Sequence, residues 1–436
     1  MEIVTKLAGL LDRAMSSDPE LTGWRFNLYE SEGLEVGLKN NRIGGPYSAP
    51  SFKRSISGEI YLLWAGQRFT SAKLDAQAAE SFSENFNLWK ATAYYDADGV
   101  DLYSPGKIPE VALAQPQIGQ IIAGDFTYPF QILNQGLIKL QEYGMNKVDG
   151  KVRCYQEHRY FRNSNGLSFD YLQTPADFFF EVNDSYGESF SEKRLPDMEE
   201  VEQIIRNTGI IGRHLLVPVE VQLSGPVQLI FPPDLFESFM NHYLITNLLG
   251  SLVVNRQSNF SLEDFNNRRP VLRDDLSLEL NTLLPLKSSS YPCTSEAVPG
   301  GSIDLIANGR LQTPILSLKY ARKAGLIPTP LPAGGRGFFI KSSQTVNRWD
   351  EILAKTESGL VVYSVLGLHT QDPSSGKFSL TADQCLLVKN GVIAGKVKAV
   401  INGDFFSALK NESSQLASVK GKDNPGFIFT ANAIVR

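Results

Sequence analysis

Apolar positions along the chain follow two periods, and the change between them marks out its elements. Ile3, Leu7, Leu10, Leu11 and Met15 recur at three- and four-residue spacing among Lys6, Asp12 and Arg13, which predicts an amphipathic helix. The interspersed charges do not fit a signal peptide. Strand-like alternation follows at 24–30 and 34–39, with Ser31-Glu32-Gly33 as the predicted turn between them. A second hairpin is predicted from 58–65 and 68–73 about Gly66. Residues 74–95 lack Gly and Pro and predict a helix, 104–118 carry three prolines and predict a linker, and 130–143 predict another helix. Asn163-Ser164-Asn165-Gly166 joins predicted strands at 151–161 and 167–173. An exposed stretch at 186–198 then leads into a helix at 198–209, with Gly209 as its stop.

The second half is mainly strand. Segments 217–223 and 226–231 frame Ser224-Gly225, and further strands are predicted within 303–312, 359–368 and 384–403. Asn-Gly occurs at 308–309, 390–391 and 402–403, and supplies the positive φ angles of a type I′ turn. Pro-rich 327–337 is a predicted loop. The expected fold class is α+β. Residues 1–200 form an N-terminal domain of helices on an antiparallel sheet. Residues 201–436 form a mainly-β domain of barrel or sandwich-like hairpins with a few helices, and the boundary falls within 190–212.

Composition narrows the function classes. At 436 residues the chain is long enough for two or three domains of about 150 residues. Its net charge of −5 and lack of a basic cluster argue against nucleic-acid binding. No apolar run approaches the roughly 20 residues of a membrane span. Cys154, Cys293 and Cys385 are widely spaced and match neither a disulfide framework nor a CxxC knuckle, so a reducing cytoplasm is expected.

Candidate chemistry centres on 231–244, FPPDLFESFMNHYL. Asp234 and Glu237 have capping-box spacing. Phe236, Phe239, Met240, Tyr243, Leu244, Asn247 and Leu248 then form one stripe at helical spacing. Glu237 reads as a first-turn acid and His242 as a flanking helix histidine. A zinc centre needs at least three donor side chains. HExxH is absent, and His158, His214, His242 and His369 are each isolated. No phosphate loop occurs, because Gly376-Lys377 is followed by Phe378, and there is no GxSxG elbow. Gly334-Gly335-Arg336-Gly337 can approach a ligand backbone closely, although a plain loop accounts for it. Cys293 reads as an inert thiol and His369 as a turn residue.

Several segments, in order, resemble the TldD/PmbA family. These are VQLIFPPDLFESFMNHYL (a strand then a helix), RNSNGLSF (an NSxG hairpin), and Ala321, Lys323 and Gly325 (an A-x-K-x-G helix end). Ser375-Gly376-Lys377-Phe378-Ser379 is similar to a TGDFS turn, and 388–393 to a VENGEI hairpin. The likeness covers about 150–436, and the rest by element order. The chain departs from the family in LLGSLVVNRQSNF after the helix and in GGRGFFIKSS.

The resemblance implies two subunit types. TldD-type chains carry HExxxH on this helix and a C-terminal Cys, which together hold zinc; PmbA-type (TldE) chains lack these ligands and pair with TldD. By position the motif falls on Phe236, Glu237 and Asn241, and the Cys near Lys420. The implied protein is therefore a non-catalytic subunit of a heterodimeric zinc metallopeptidase that degrades or trims unfolded or modified peptides. It would have no catalytic residue, metal or cofactor of its own, and the zinc would lie in its TldD-like partner. The alternative is a stand-alone homodimeric peptide-binding protein. A third reading is an enzyme built around Glu237, His242 and Cys293. The family's older name, modulator of DNA gyrase, suggests nucleic-acid work, against which the acidic balance argues.

Overall fold

The computed structural model describes residues 2–99, 101–104, 106–344 and 346–435. Its N-terminal half is organised by one long strand, Leu21–Lys39, paired antiparallel with Ser51–Trp64 on one side and Val148–Asn163 on the other. These belong to a nine-stranded sheet that ends at Tyr186–Glu192. Alternation places Trp24, Phe26 and Leu28 on the same face as Leu34, Val36 and Leu38. Helices cover that face in two groups. Glu2–Ser17 and Phe82–Ala91 pack over the first three residues, and Pro116–Ile122, Thr127–Glu142 and Met198–Leu215 over the second three.

Ser31-Glu32-Gly33 is not the turn predicted for it, because the strand runs straight through. Gly33 is there for a different reason: a Cβ on it would lie 2.0 Å from the ring of Tyr155 on the neighbouring strand. Gly209 is likewise no helix stop. The helix begins at a capping box between Asp197 and Glu200 and continues to Leu215. Gly209 and Gly212 lie where the Tyr143 ring and Val182 leave no room for a Cβ, at 2.4 and 2.6 Å. The predicted helix over 74–95 is confined to Phe82–Ala91.

In the second half, five strands close into a ring. Leu223–Phe231 pairs in parallel with Ser358–Leu366 and antiparallel with Gly426–Val435. Lys377–Lys389 and Val392–Asp404 complete the circuit. Closure removes the sheet edges that a sandwich would leave open. The Asn-Gly turns at 308–309 and 390–391 form with the expected positive φ. Asn402-Gly403 lies inside a strand, where Gly403 makes room for the Phe378 ring. Leu223–Phe231 also passes through Ser224-Gly225 without a hairpin, with Gly225 at φ +114°. A four-stranded sheet carries Leu276–Asn281 and Phe338–Ser342 as neighbours. The helix Met198–Leu215 packs Val201 and Ile205 on the N-terminal sheet, and Ile211 and Leu215 against Ile230, Val361 and Leu386 of the ring. The fold is α+β. Among the described residues no helix is long and apolar enough to cross a membrane.

Candidate functional site

Residues 233–248 leave the ring strand Leu223–Phe231 at once, because Pro232 caps and Pro233 starts the next helix. Asp234 is therefore inside the first turn and makes no capping box with Glu237; it pairs with Lys422 at 3.0 Å. The apolar stripe forms as read. Phe236, Phe239, Tyr243, Leu244 and Leu248 are all fully buried. The Phe236 ring stacks on Phe427 with centroids 4.8 Å apart and tilted by 21°. From Met240 to Ile245 the helix widens into a π turn, an irregularity frequent at functional sites. Thr246 Oγ1 donates to the Asn241 carbonyl at 2.8 Å beside it.

The polar flank of this helix faces a cavity of 520 Å³. Its other walls are the sheet end around Glu188 and Glu192, the helix Met198–Leu215, and three loops at 287–289, 334–337 and 420–424. Glu237 stands at the centre of the helical wall. Its Oε1 accepts from Asn424 Nδ2 at 2.9 Å. Burial raises its pKa, and the Asn424 hydrogen bond offsets part of that rise. Burial also raises Glu188, which accepts from Tyr186 and Asn207 at 2.9 and 3.1 Å. Burial pulls the Lys422 ammonium down, but the carboxylates of Asp234 and Glu188 outweigh it and hold it above its ordinary value.

The glycine-rich loop arches over the helix. Gly334, Gly335 and Gly337 all have positive φ, and a Cβ on Gly335 would meet the Asn241 amide at 3.5–3.6 Å. Arg336 Nη1 donates to Ser288 Oγ at 3.2 Å. Lys420 lines the cavity but pairs with Glu199. The residues of its loop that touch the helix are Lys422 and Asn424. Neither was visible from sequence, since both lie some 190 positions from their partners in a segment with no regular pattern.

The three groups of the alternative enzyme reading do not converge. Glu237 lines the cavity. Five residues along, His242 Nε2 lies 3.0 Å from the Gln371 carbonyl, and burial lowers its pKa. Cys293 is buried beyond the cavity, with its thiol pushed up by burial to about 12. His369 sits in the short turn Leu368–Thr370.

The zinc that the resemblance implies for TldD-type chains does not fit the residues here. Phe236 has no lone pair and belongs to the core. An Asn241 amide is a poor donor, and Lys420 is a cation held by Glu199. Among the described residues no group of three or more His, Cys, Asp or Glu is placed to hold a metal ion. What the arrangement offers instead is a polar, hydrogen-bonded wall beside a cavity.

Residues 224–420 match the PmbA/TldA metallopeptidase C-terminal domain. The whole chain superposes on TldE from Thermococcus kodakarensis with a TM-score of 0.81 at 18% identity, covering 99% of both chains. Two structures solved as proposed modulators of DNA gyrase are also similar. The one from Bacteroides thetaiotaomicron has a TM-score of 0.76 at 16% identity, covering 99% of this chain and 98% of that one. The one from Thermotoga maritima has a TM-score of 0.75 at 17% identity, covering 99% and 100%. No curated protein matches the chain. Residues 224–420 therefore carry the PmbA/TldA metallopeptidase C-terminal domain, set in a fold that the chain shares along its full length with these structures.

Proposed function

We propose that the chain is the non-catalytic, TldE-like subunit of a heterodimeric zinc metallopeptidase. A TldD-like partner carries the zinc, and this subunit walls the chamber that receives unfolded or extended peptides. The observation that carries the reading is the helix 233–241. The position of the first zinc-binding histidine is Phe236, stacked into the core. The second is Asn241, under Gly335. Glu237 between them is tied to Asn424. Without a metal there is no bound water for Glu237 to activate, so its carboxylate serves the wall.

Peptide binding in this reading uses main-chain groups. Residues 51–56 of the strand Ser51–Trp64 pair on one side with Leu21–Lys39, and the partner on the other side begins only at Ser57. An open edge of this kind accepts an added strand whatever its sequence. A cytoplasmic setting belongs to the same reading and suits three buried, free cysteines.

The test is co-expression with a TldD-like chain from the same genome. The expected result is co-purification as a pair that cleaves an unfolded peptide, with the zinc in the partner and no cleavage by this chain alone. A stable homodimer that ignores every TldD-like chain would favour the stand-alone peptide-binding reading.

A further inference from the structure

The face of the N-terminal sheet opposite its helices carries a second polar cluster, which the wall around Glu237 does not use. A chamber of 280 Å³ opens there against the loop 288–291, lined by Glu157, Arg159, Tyr171, Gln173, Glu192 and Lys193. It shares Ser191, Glu192 and Ser288 with the larger cavity, so the two are adjoining compartments.

The chamber holds two carboxylates and two cations, but they are not all paired in contact. Glu157 accepts from Arg159 Nη2 at 2.9 Å and also from Gln173. Glu192 accepts from Lys287 Nζ at 3.1 Å and from the Ser288 N–H at 2.6 Å. Glu157 thus has Arg159 as its cation, whereas Lys287 is shared between Glu192 and Asp423, at 3.1 and 2.8 Å. Lys193 is 5% exposed, and its ammonium donates to the Ser290 carbonyl. A neutral carbonyl takes one of its three N–H donors, and among the described residues no carboxylate pairs with it in contact; Glu157 and Glu192 act on it from farther off. Burial, and then the neighbouring Arg159, pull this amine down to about 7, against the opposing effect of Glu157 and Glu192. A buried ammonium with no carboxylate in contact is costly, and a site kept in that state is suited to an anion that arrives with a ligand.

We propose that this chamber is a carboxylate subsite, in which an incoming carboxylate seats against Lys193 and gives it a direct ion-pair partner. Within the peptide-holding role above, on which this occupant rests, the group is the C-terminal carboxylate of a chain lying in the larger cavity. Glu157 and Glu192 in the wall oppose a dianion more than a monoanion, which favours carboxylate over phosphate. Binding charges the amine, so it takes up a proton. Affinity is full below the free amine's value and falls as pH rises through it. Glu157, Arg159, Tyr171, Glu192 and Tyr291 are the other titratable groups facing Lys193. Burial pushes both tyrosines up, away from neutral pH.

The test uses the full chain and sodium acetate, with sodium chloride at equal ionic strength as control. Acetate is expected to raise the unfolding midpoint saturably. Its affinity should fall by about tenfold per pH unit above about 7, and Lys193→Met should abolish the effect. The proposal is overturned if acetate does no more than chloride, if Lys193→Met responds like the parent, or if the parent's affinity is flat with pH. This last measurement decides the matter alone should the variant not fold. A hexapeptide with a free C-terminus should compete with acetate, and its C-terminal amide should not. Equal behaviour of the two peptides overturns the peptide terminus as occupant. Failure to find a peptidase partner leaves the acetate result untouched, so the two proposals fail separately.

Discussion

Asn424 donates to Glu237 Oε1 at 2.9 Å and to the Phe338 carbonyl at 2.8 Å, and its own Oδ1 accepts from the Ile340 N–H at 3.0 Å. One buried side chain thereby joins the helix 233–241, the edge of the four-stranded sheet and the loop 420–424. Asn424→Leu removes all three bonds and leaves buried backbone groups unpaired. The expected loss is about 2–4 kcal/mol, since each such group costs roughly 1–3 kcal/mol. Urea unfolding reads this directly, and a loss below about 0.5 kcal/mol would show that the junction is held by something else.

Glu237 makes stability depend on pH. Burial raises its pKa in the folded chain above the ordinary 4.5. Its contribution is therefore fully present below that value and is lost as pH rises through the folded value. Glu237→Gln keeps an acceptor for Asn424 and removes the titration. The variant is expected to be the more stable protein at neutral pH, and the gap to close in acid below the usual carboxylate range. Unfolding midpoints at a series of pH values check this. A gap that stays constant with pH would mean that Glu237 does not titrate in a buried setting.

The two positions matching the zinc-binding histidines are expected to respond differently to truncation. Phe236 is fully buried and stacked on Phe427, so Phe236→Ala should cost about 3–5 kcal/mol. Asn241 sits in the cavity wall under Gly335, and Asn241→Ala should cost less than about 1 kcal/mol. Thermal or chemical unfolding of the pair checks the contrast. Comparable losses would place Phe236 outside the core.

The three free cysteines are buried, and burial pushes each thiol up to about 12. Thiolate is the reactive form. A disulfide reagent at mildly alkaline pH is expected to leave the folded protein unmodified over minutes and to titrate all three after denaturation. Fast labelling of Cys293 in the native chain would reopen the reading of that residue as a nucleophile.

Periodicity carried much of the fold and none of the site's contacts. The stripe from Phe236 to Leu248 and the turns at Asn308-Gly309 and Asn390-Gly391 were legible because each depends on residues close in sequence. Gly33, Gly209 and Gly403 misled for one shared reason: each is a glycine because an aromatic ring on a neighbouring element occupies the place of its Cβ. That ring belongs to Tyr155, Tyr143 or Phe378, and local pattern does not reveal the pairing. Asp234 and Glu237 had the spacing of a capping box, but Pro232 and Pro233 start the helix earlier and free both acids for Lys422 and Asn424. The resemblance identified the helix that matters, whereas its partners across the cavity are set by tertiary packing.

The proposed role rests on a cavity wall standing where the resemblance places a hydrolytic metal. Its most direct test is the zinc content of the pure chain after equilibration with excess zinc and desalting, measured by elemental mass spectrometry. The account predicts less than about 0.1 zinc per chain, because fewer than the three donors a site needs are present at Phe236, Glu237, Asn241 and Lys420. Retention of about one zinc per chain, lost on Glu237→Gln, would contradict it.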